Sequence, residues 1–477
     1  MRGAFKLIII ILIWASSAFA RILNIPADYP TIQAGIDAAI NGDTVLVAPG
    51  EYEEDLLIQD KNIFLTSAEG PTATAILGHA FLFGAAIDTT CALRGFRLDG
   101  HYAGGWPDQL AYSRGGGPTI CGNIMENNSG SFTGAGILLE DSPAIVRGNI
   151  IRNNWATDYG GGIDAIDFDT MTWDFVTIEG NIVSGNWAGD RIDAGDAGGI
   201  SMARNGVIRY NLVTGNRANR VIYRAYGGGI SSRLTLARIY NNTIVGNMAL
   251  GQGGHGMGGG IFLWLLEPVG QGFAKNNIIA FNPFGGDIYG YVRDSAYIFW
   301  DYNLVFGNDT ADYVGITAGM HDIQSDPLFV DRFSGDFRLL PNSPCIDAGD
   351  PSFPLDPDST RADIGAYYFD QSLGIDDDGA PSGPYQFALK QNYPNPFNGE
   401  TIISYYLDKE STVSLFIFSI TGHLVLPLLN KEIQEAGEHN YLWEGRDANG
   451  RAVSTGIYFY ELYVNEYRES KAMILIK

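Results

Sequence analysis

Short β-branched, apolar runs alternate with asparagine and glycine in a fixed order through the middle of this chain. Seven segments carry Asn, then Ile, Leu or Thr, three variable residues and a second Asn: Asn123/Asn128, Asn149/Asn154, Asn181/Asn186, Asn211/Asn216, Asn242/Asn247, Asn277/Asn282 and Asn303/Asn308. Successive first asparagines are 26, 32, 30, 31, 35 and 26 residues apart. A second marker, Gly-Gly-Ile or a close variant, ends at Ile137, Ile163, Ile200, Ile230, Ile261 and Ile288. A period near thirty residues means stacked supersecondary units. No run offers the 3.6-residue periodicity of a helical repeat, and a leucine ladder is absent. The pattern therefore predicts three short strands per turn, wound into a parallel β-helix.

Each marker has a physical role in that fold. The Ile or Val of each strand points inward and stacks on its equivalent one coil along. Asparagine tolerates the left-handed backbone of a tight corner, and its amide bonds neighbouring backbone or the next asparagine. The Gly-Gly pairs permit a sharp bend into the next strand. Residues 21–40 read as an N-terminal cap, in which 29–40 puts Ile32, Ile36 and Ile40 on one helical face, and residues 326–369 as the closing segment. Residues 371–384 are a linker by composition, and its run Asp376, Asp377 and Asp378 reads as solvated charge. Residues 385–477 change to alternating strands separated by turns, which predicts an antiparallel, immunoglobulin-like β-sandwich.

Composition narrows the function. The formal net charge is −24, which disfavours nucleic acid and anionic membranes as partners. Neutral sugars, or acidic sugars bridged by divalent cations, remain compatible. Residues 1–20 read as a secretory signal peptide, with Arg2 and Lys6 before a short apolar core and Ala18 and Ala20 framing a cleavage site. No later run is long and apolar enough to span a membrane. Three cysteines, Cys91, Cys121 and Cys345, make no disulfide framework, and the spacing of Cys91 and Cys121 places them as stacked neighbours on adjacent coils. Capped ends favour a monomer.

Two resemblances follow from particular residues. The opening, 29–40 followed by 42–52, together with the coils and the closing stretch 343–350, resembles the right-handed parallel β-helix proteins of the pectin lyase-like superfamily over residues 24–369. The resemblance implies an all-β fold for residues 21–370 and polysaccharide as the class of ligand. The superfamily's catalytic motifs have no match here. The stretch 392–398, Trp443, Gly445, Asp447, Gly450, 455–460 and the terminal 471–477 resemble the sorting domain read by the type IX secretion system. That resemblance implies the type IX machinery as a partner. It also implies passage through the outer membrane of a Gram-negative bacterium, ending in the secreted state or at the outer cell surface.

Loop lengths locate the candidate site. The distance from the second Asn to the next marker Ile rises to 14 residues in three consecutive coils, from Asn186 to Ile200, Asn216 to Ile230 and Asn247 to Ile261. Insertions at one corner of adjacent coils stack into a rim, and a rim beside a sheet makes a groove. Trp155, Tyr159, Trp187, Tyr223, Tyr226 and His255 are the candidate substrate-binding residues, because flat aromatic faces suit sugar rings. Asp164, Asp167, Asp190, Asp193 and Asp196 are the candidate carboxylates of a hydrolase, and Arg191, Arg217 or Arg224 would be the base of a lyase. Calcium is a conceivable cofactor through Asp164, Asp167 and Asp169, although strand alternation puts Asp164 on the opposite face from the other two. The expectation is a secreted or cell-surface protein that binds or degrades polysaccharide along this groove. The alternative is a non-catalytic adhesion or display module, in which the same loop charges are a solvated surface.

Overall fold

The structure, a computed structural model, describes residues 20–476 except 101–108, 168–174, 190–195, 220–224, 234–236, 252–255, 266–271, 286–287, 293–297, 309–310, 372–386, 391, 393, 396, 408–409, 420–423, 449 and 465–466. The signal-peptide and linker segments therefore lie, all but a residue at one edge of each, outside the described residues.

Parallel strands stack coil on coil into three long sheets: sheet A of 11 strands, and sheets B and C of 10 strands each. A short fourth sheet, D, adds five strands in the central coils. A central coil runs from sheet A through an asparagine corner to sheet B. A second asparagine corner leads to sheet D, and the Gly-Gly bend then leads to sheet C. The expectation of three strands per turn misses sheet D, because its strands are as short as Trp187–Ala188 and lack a β-branched run.

The interior is a stack of aliphatic rows. Met125, Ile151, Val183, Val213, Ile244, Ile279 and Val305 occupy one register position of sheet B, and all are fully buried. Ile137, Ile163, Ile200, Ile230, Ile261 and Ile288 form the equivalent row of sheet C, also fully buried. Stacking at this spacing forces close backbone approach at the Gly-Gly bends. A Cβ on Gly199 would sit 2.5 Å from the carbonyl oxygen of Gly229.

The corners are held by two asparagine ladders. In the first, the backbone N–H and the Nδ2 of each Asn donate to the Oδ1 of the next, running Asn123, Asn149, Asn181, Asn211, Asn242, Asn277, Asn303 at 2.9–3.1 Å. Each Nδ2 also donates to a backbone carbonyl of the preceding coil, as Asn211 does to Ile178 at 3.0 Å. The last acceptor is a carboxylate: Asp322 Oδ1 takes the Asn303 N–H at 2.8 Å. The second ladder runs from Asn128 to Asn308 and ends the same way, with Asn308 Nδ2 on Asp312 Oδ1 at 3.0 Å. Every asparagine-to-asparagine bond points toward the C-terminal end, so a carboxylate acceptor there strengthens a chain of aligned dipoles.

Three details differ from the sequence reading. Helix α1 (Ile32–Ala38) stops before Ile40, so Ile32 and Ile36 are fully buried while Ile40 is 48% exposed. The closing segment does not only cap the end. It folds back along the outer face of sheet B, where Phe329, Phe337, Leu339, Cys345 and Ile364 cover Leu212, Val245, Ile278 and Leu304. Gly365 N–H donates to the Asn276 carbonyl at 2.8 Å, and Lys275 pairs with Asp350 at 2.5 Å. Finally, Cys121 pairs in register with Arg94, while Cys91 precedes the strand Ala92–Arg94 and is fully buried. The two thiols are not stacked, because the segments carrying them are offset by three residues.

From Phe387 onward a three-stranded and a four-stranded antiparallel sheet share one apolar core, including Ile403, Tyr405, Leu415, Trp443, Tyr460 and Met473. This unit touches the outer face of sheet A. Phe459 meets Phe64 edge-on at 6.1 Å, Arg94 lies over the Phe459 ring at 4.7 Å, and Leu46 and Ile474 are buried between them. No helix of the described residues is long and apolar enough to cross a membrane.

Candidate functional site

Sheet C is the face beside the long loops. Its inward row is the isoleucine stack, so alternation turns the next residue of every strand outward. The outward row reads Leu57, Phe81, Tyr112, Leu138, Asp164, Ser201, Ser231, Phe262 and Tyr289 along the axis. The second outward row carries Gln59, Phe83, Arg114, Glu140, Ile166, Ala203, Arg233, Trp264 and Tyr291. The face is thus aromatic at both ends and polar in the middle.

The middle is built from buried polar groups. Asp164 is fully buried on Ile163–Ile166, and its carboxylate accepts the Thr133 hydroxyl from the coil below. Asp196 is 1% exposed, and it stands between Tyr159 and Tyr226 in a ladder of parallel bridges that continues to Met257. Nearer the N-terminal end, Glu140 accepts from the Tyr112 hydroxyl and pairs with Arg114 at 3.1 Å. Burial is the largest cause raising the Tyr112 pKa, and the Glu140 carboxylate adds to it.

A platform of rings occupies the C-terminal end. Tyr226 lies 4.6 Å from Phe262 and 6.3 Å from Trp264. Phe262 stacks on Tyr289 at 5.9 Å, and Trp264 meets Tyr291 at 6.1 Å. Phe262 is buried beneath its neighbours, Trp264 and Tyr289 are partly exposed, and Tyr291 is 54% exposed. Apart from Tyr226, none of these rings was a sequence candidate. The signal was available, because positions one and three after Ile261 and Ile288 must face outward.

The structure sorts the sequence candidates into two ladders. Trp155, Trp187 and Arg217 share one register position of sheet D, with the indoles 6.1 Å apart and the Arg217 guanidinium 4.8 Å from the Trp187 ring. Tyr159, Asp196 and Tyr226 form the other, beside the Gly-Gly bend. Asp167 follows the strand that carries Asp164 and is separate from both ladders. Asp190, Asp193, Arg191, Tyr223, Arg224 and His255 lie outside the described residues, as does Asp169. Among the described residues no three His, Cys, Asp or Glu side chains group as metal ligands.

The C-terminal unit is decided by comparison. Residues 391–477 match the family described as a secretion system C-terminal sorting domain. This segment is a type IX sorting tail. The chain carrying it is a secreted or cell-surface protein of a Bacteroidetes-type bacterium. Among solved structures, it is similar to latent PorU from Porphyromonas gingivalis at 21% identity and TM-score 0.18, covering 20% of this chain and 10% of that one. The chain therefore spans about a tenth of the length of PorU. The pectate lyase Pel9A is similar at 12% identity over 73% of this chain and 96% of that one, with a TM-score of 0.36. The PL6 alginate lyase AlyGC follows at 13% identity, 71% and 60% coverage, and a TM-score of 0.28. No curated protein matches the chain.

Proposed function

We propose that this protein binds a polysaccharide lengthwise along sheet C, outside the cell, with the sorting tail serving its export through the type IX machinery. The observation that carries the reading is the make-up of one continuous face. The rings of Trp264 and Tyr291 lie farther along the face that carries the buried carboxylate Asp164, and Asp196 stands on the adjoining ladder, beside the corner where the long loops insert. Aromatic faces supply contact area to sugar rings, and polar groups between them fix hydroxyls. If the groove also cleaves its ligand, Asp164 and Asp196 are the acid–base pair. Arg217 serves binding rather than proton abstraction, since its guanidinium is stacked on Trp187. A display role without catalysis is favoured by one observation: Asp164 is fully buried and already hydrogen-bonded to Thr133.

The test is a polysaccharide panel read by affinity electrophoresis and by reducing-end release. Retardation by at least one glycan supports the groove. Release that vanishes in Asp196→Asn while retardation persists supports catalysis. Absence of both retardation and release across the panel overturns the proposal.

A further inference from the structure

We infer that the outer face of sheet A holds a second ligand site, built on the Arg238 guanidinium and the rings of Phe175, Phe273 and Phe299, for an anionic oligosaccharide bearing carboxylate or sulfate groups. The site is separate from the groove on sheet C. Strand register sets the face. Ile178, Ile208, Ile239, Ala274 and Trp300 are turned into the core, so alternation turns Thr177, Val207, Arg238, Phe273 and Phe299 outward in one row. Glu179, Arg209, Tyr240, Lys275 and Asp301 form the row beside it. Phe175 stands just ahead of the strand Val176–Glu179. The sorting tail contacts the same sheet nearer its N-terminal end, at Leu46, Phe64 and Arg94.

Arg238 is the cation that these two rows leave without an acid. Arg209 pairs with Glu179 at 2.5 Å and donates to the Tyr240 hydroxyl at 2.9 Å, and Lys275 pairs with Asp350 at 2.5 Å. Asp301 is engaged by His321 at 2.9 Å. Arg238 is exposed and makes no ion pair among the described residues. Its guanidinium lies 5.7 Å from the Phe175 ring centre and 6.0 Å from that of Phe273. A guanidinium set against rings keeps its in-plane N–H groups for a carboxylate or sulfate, which they bind in pairs. The whole-chain charge of −24 opposes an anion from a distance, but it is screened beyond about 8 Å at physiological salt, so the nearest cation governs.

The rings supply apolar contact on either side of that cation. Phe175 is 42% and Phe299 49% exposed, on a face where a strand open to water carries polar side chains. Phe353 of the closing segment meets Tyr240 at 5.1 Å and Phe273 at 6.1 Å, which fixes both rings in place. Tyr210, 6.1 Å from Tyr240, is 43% exposed and holds a φ of 55°, where Gly180 and Asn241 stand on the neighbouring coils. A bulky side chain holds a left-handed backbone at a cost in energy, and burial does not offset that cost for a ring this exposed. From Val176–Glu179 to Ile298–Asp301 is four interstrand steps, about 19 Å in all, so a ligand that meets Arg238 and both exposed phenylalanines is an oligomer.

The experiment titrates the full chain by calorimetry at physiological salt with an oligogalacturonate, a carrageenan oligosaccharide and a neutral xylo-oligosaccharide of similar length. Binding of at least one anionic oligomer is expected, weakening as salt is raised, and which of the two binds tells carboxylate from sulfate. Arg238→Ala weakens that binding about tenfold, and Arg238→Lys, which keeps the charge but not the paired donors, weakens it less. Phe299→Ser weakens it as well. Arg238 is exposed, so an unchanged unfolding midpoint in its variants separates a lost contact from lost folding. Anionic binding that ignores Arg238→Ala overturns the inference. If Trp264→Ala abolishes that binding instead, the anion lies on sheet C, and the groove reading stands without the second site. Binding of neither anionic oligomer also overturns the inference, and retention of the neutral one leaves the groove reading standing.

Discussion

At the scale of single residues, the ladder asparagines carry the corners, and their cost of removal is calculable. Asn211 Oδ1 accepts from the N–H and Nδ2 of Asn181, while its own Nδ2 reaches Ile178, Arg209 and Asn242. Asn211→Ala leaves several buried partners unmet, so it destabilises by about 3 kcal/mol or more in urea unfolding. Asn308, at the end of its ladder, loses less on the same change. Ala197 holds φ of 55° where its register neighbours are Gly160, Gly227 and Gly258. Ala197→Gly removes the strain of a left-handed β-carbon and stabilises the fold by up to about 1 kcal/mol. These asparagines and glycines were legible in the sequence because one residue type recurs at one place in every coil. Asp322 and Asp312 were not, since each ends a ladder once and no repeat announces it.

Among elements, the closing segment carries a pH dependence of its own. Asp363 is buried against sheet B, and its carboxylate accepts the N–H of Asp347 at 2.7 Å and of Phe369 at 2.6 Å. Burial is the largest influence and pushes its pKa up to about 7, with the charges of Asp356 and Asp347 adding to the rise. An unfolded aspartate titrates near ~3.9. Between those values the folded state holds the extra proton, so this group's contribution falls as pH rises from about 4 through 7. The unfolding midpoint of the wild type therefore drops more steeply over that window than that of Asp363→Asn, measured in parallel by circular dichroism. The segment's existence was legible from its sequence, but its path along sheet B was not. The apolar outer positions Leu212, Val245, Ile278 and Leu304 that it covers read as ordinary strand alternation until the partner is seen.

For the whole molecule, the solenoid and the sorting tail meet on sheet A, while the proposed groove lies on sheet C. Phe459 is the centre of that contact, between Phe64 and Arg94. Phe459→Ser loosens the tail, and limited proteolysis then cuts between the two units faster without altering glycan affinity. The corner beside sheet C was marked in the sequence by the stepped loop lengths, whose segments 190–195, 220–224 and 252–255 lie outside the described residues. The residue make-up of that face was only partly legible. The eye falls on loop residues such as Arg191 and His255, whereas Trp264 and Tyr291 sit within strands and are outward only by register. The most direct measurement is the crystal structure of the full chain with a bound oligosaccharide from the best-binding polysaccharide of the panel. Sugar density running parallel to the coil axis over sheet C, with rings against Trp264 and Tyr291, is the predicted result. Density on sheet A or sheet B with sheet C bare would contradict the account.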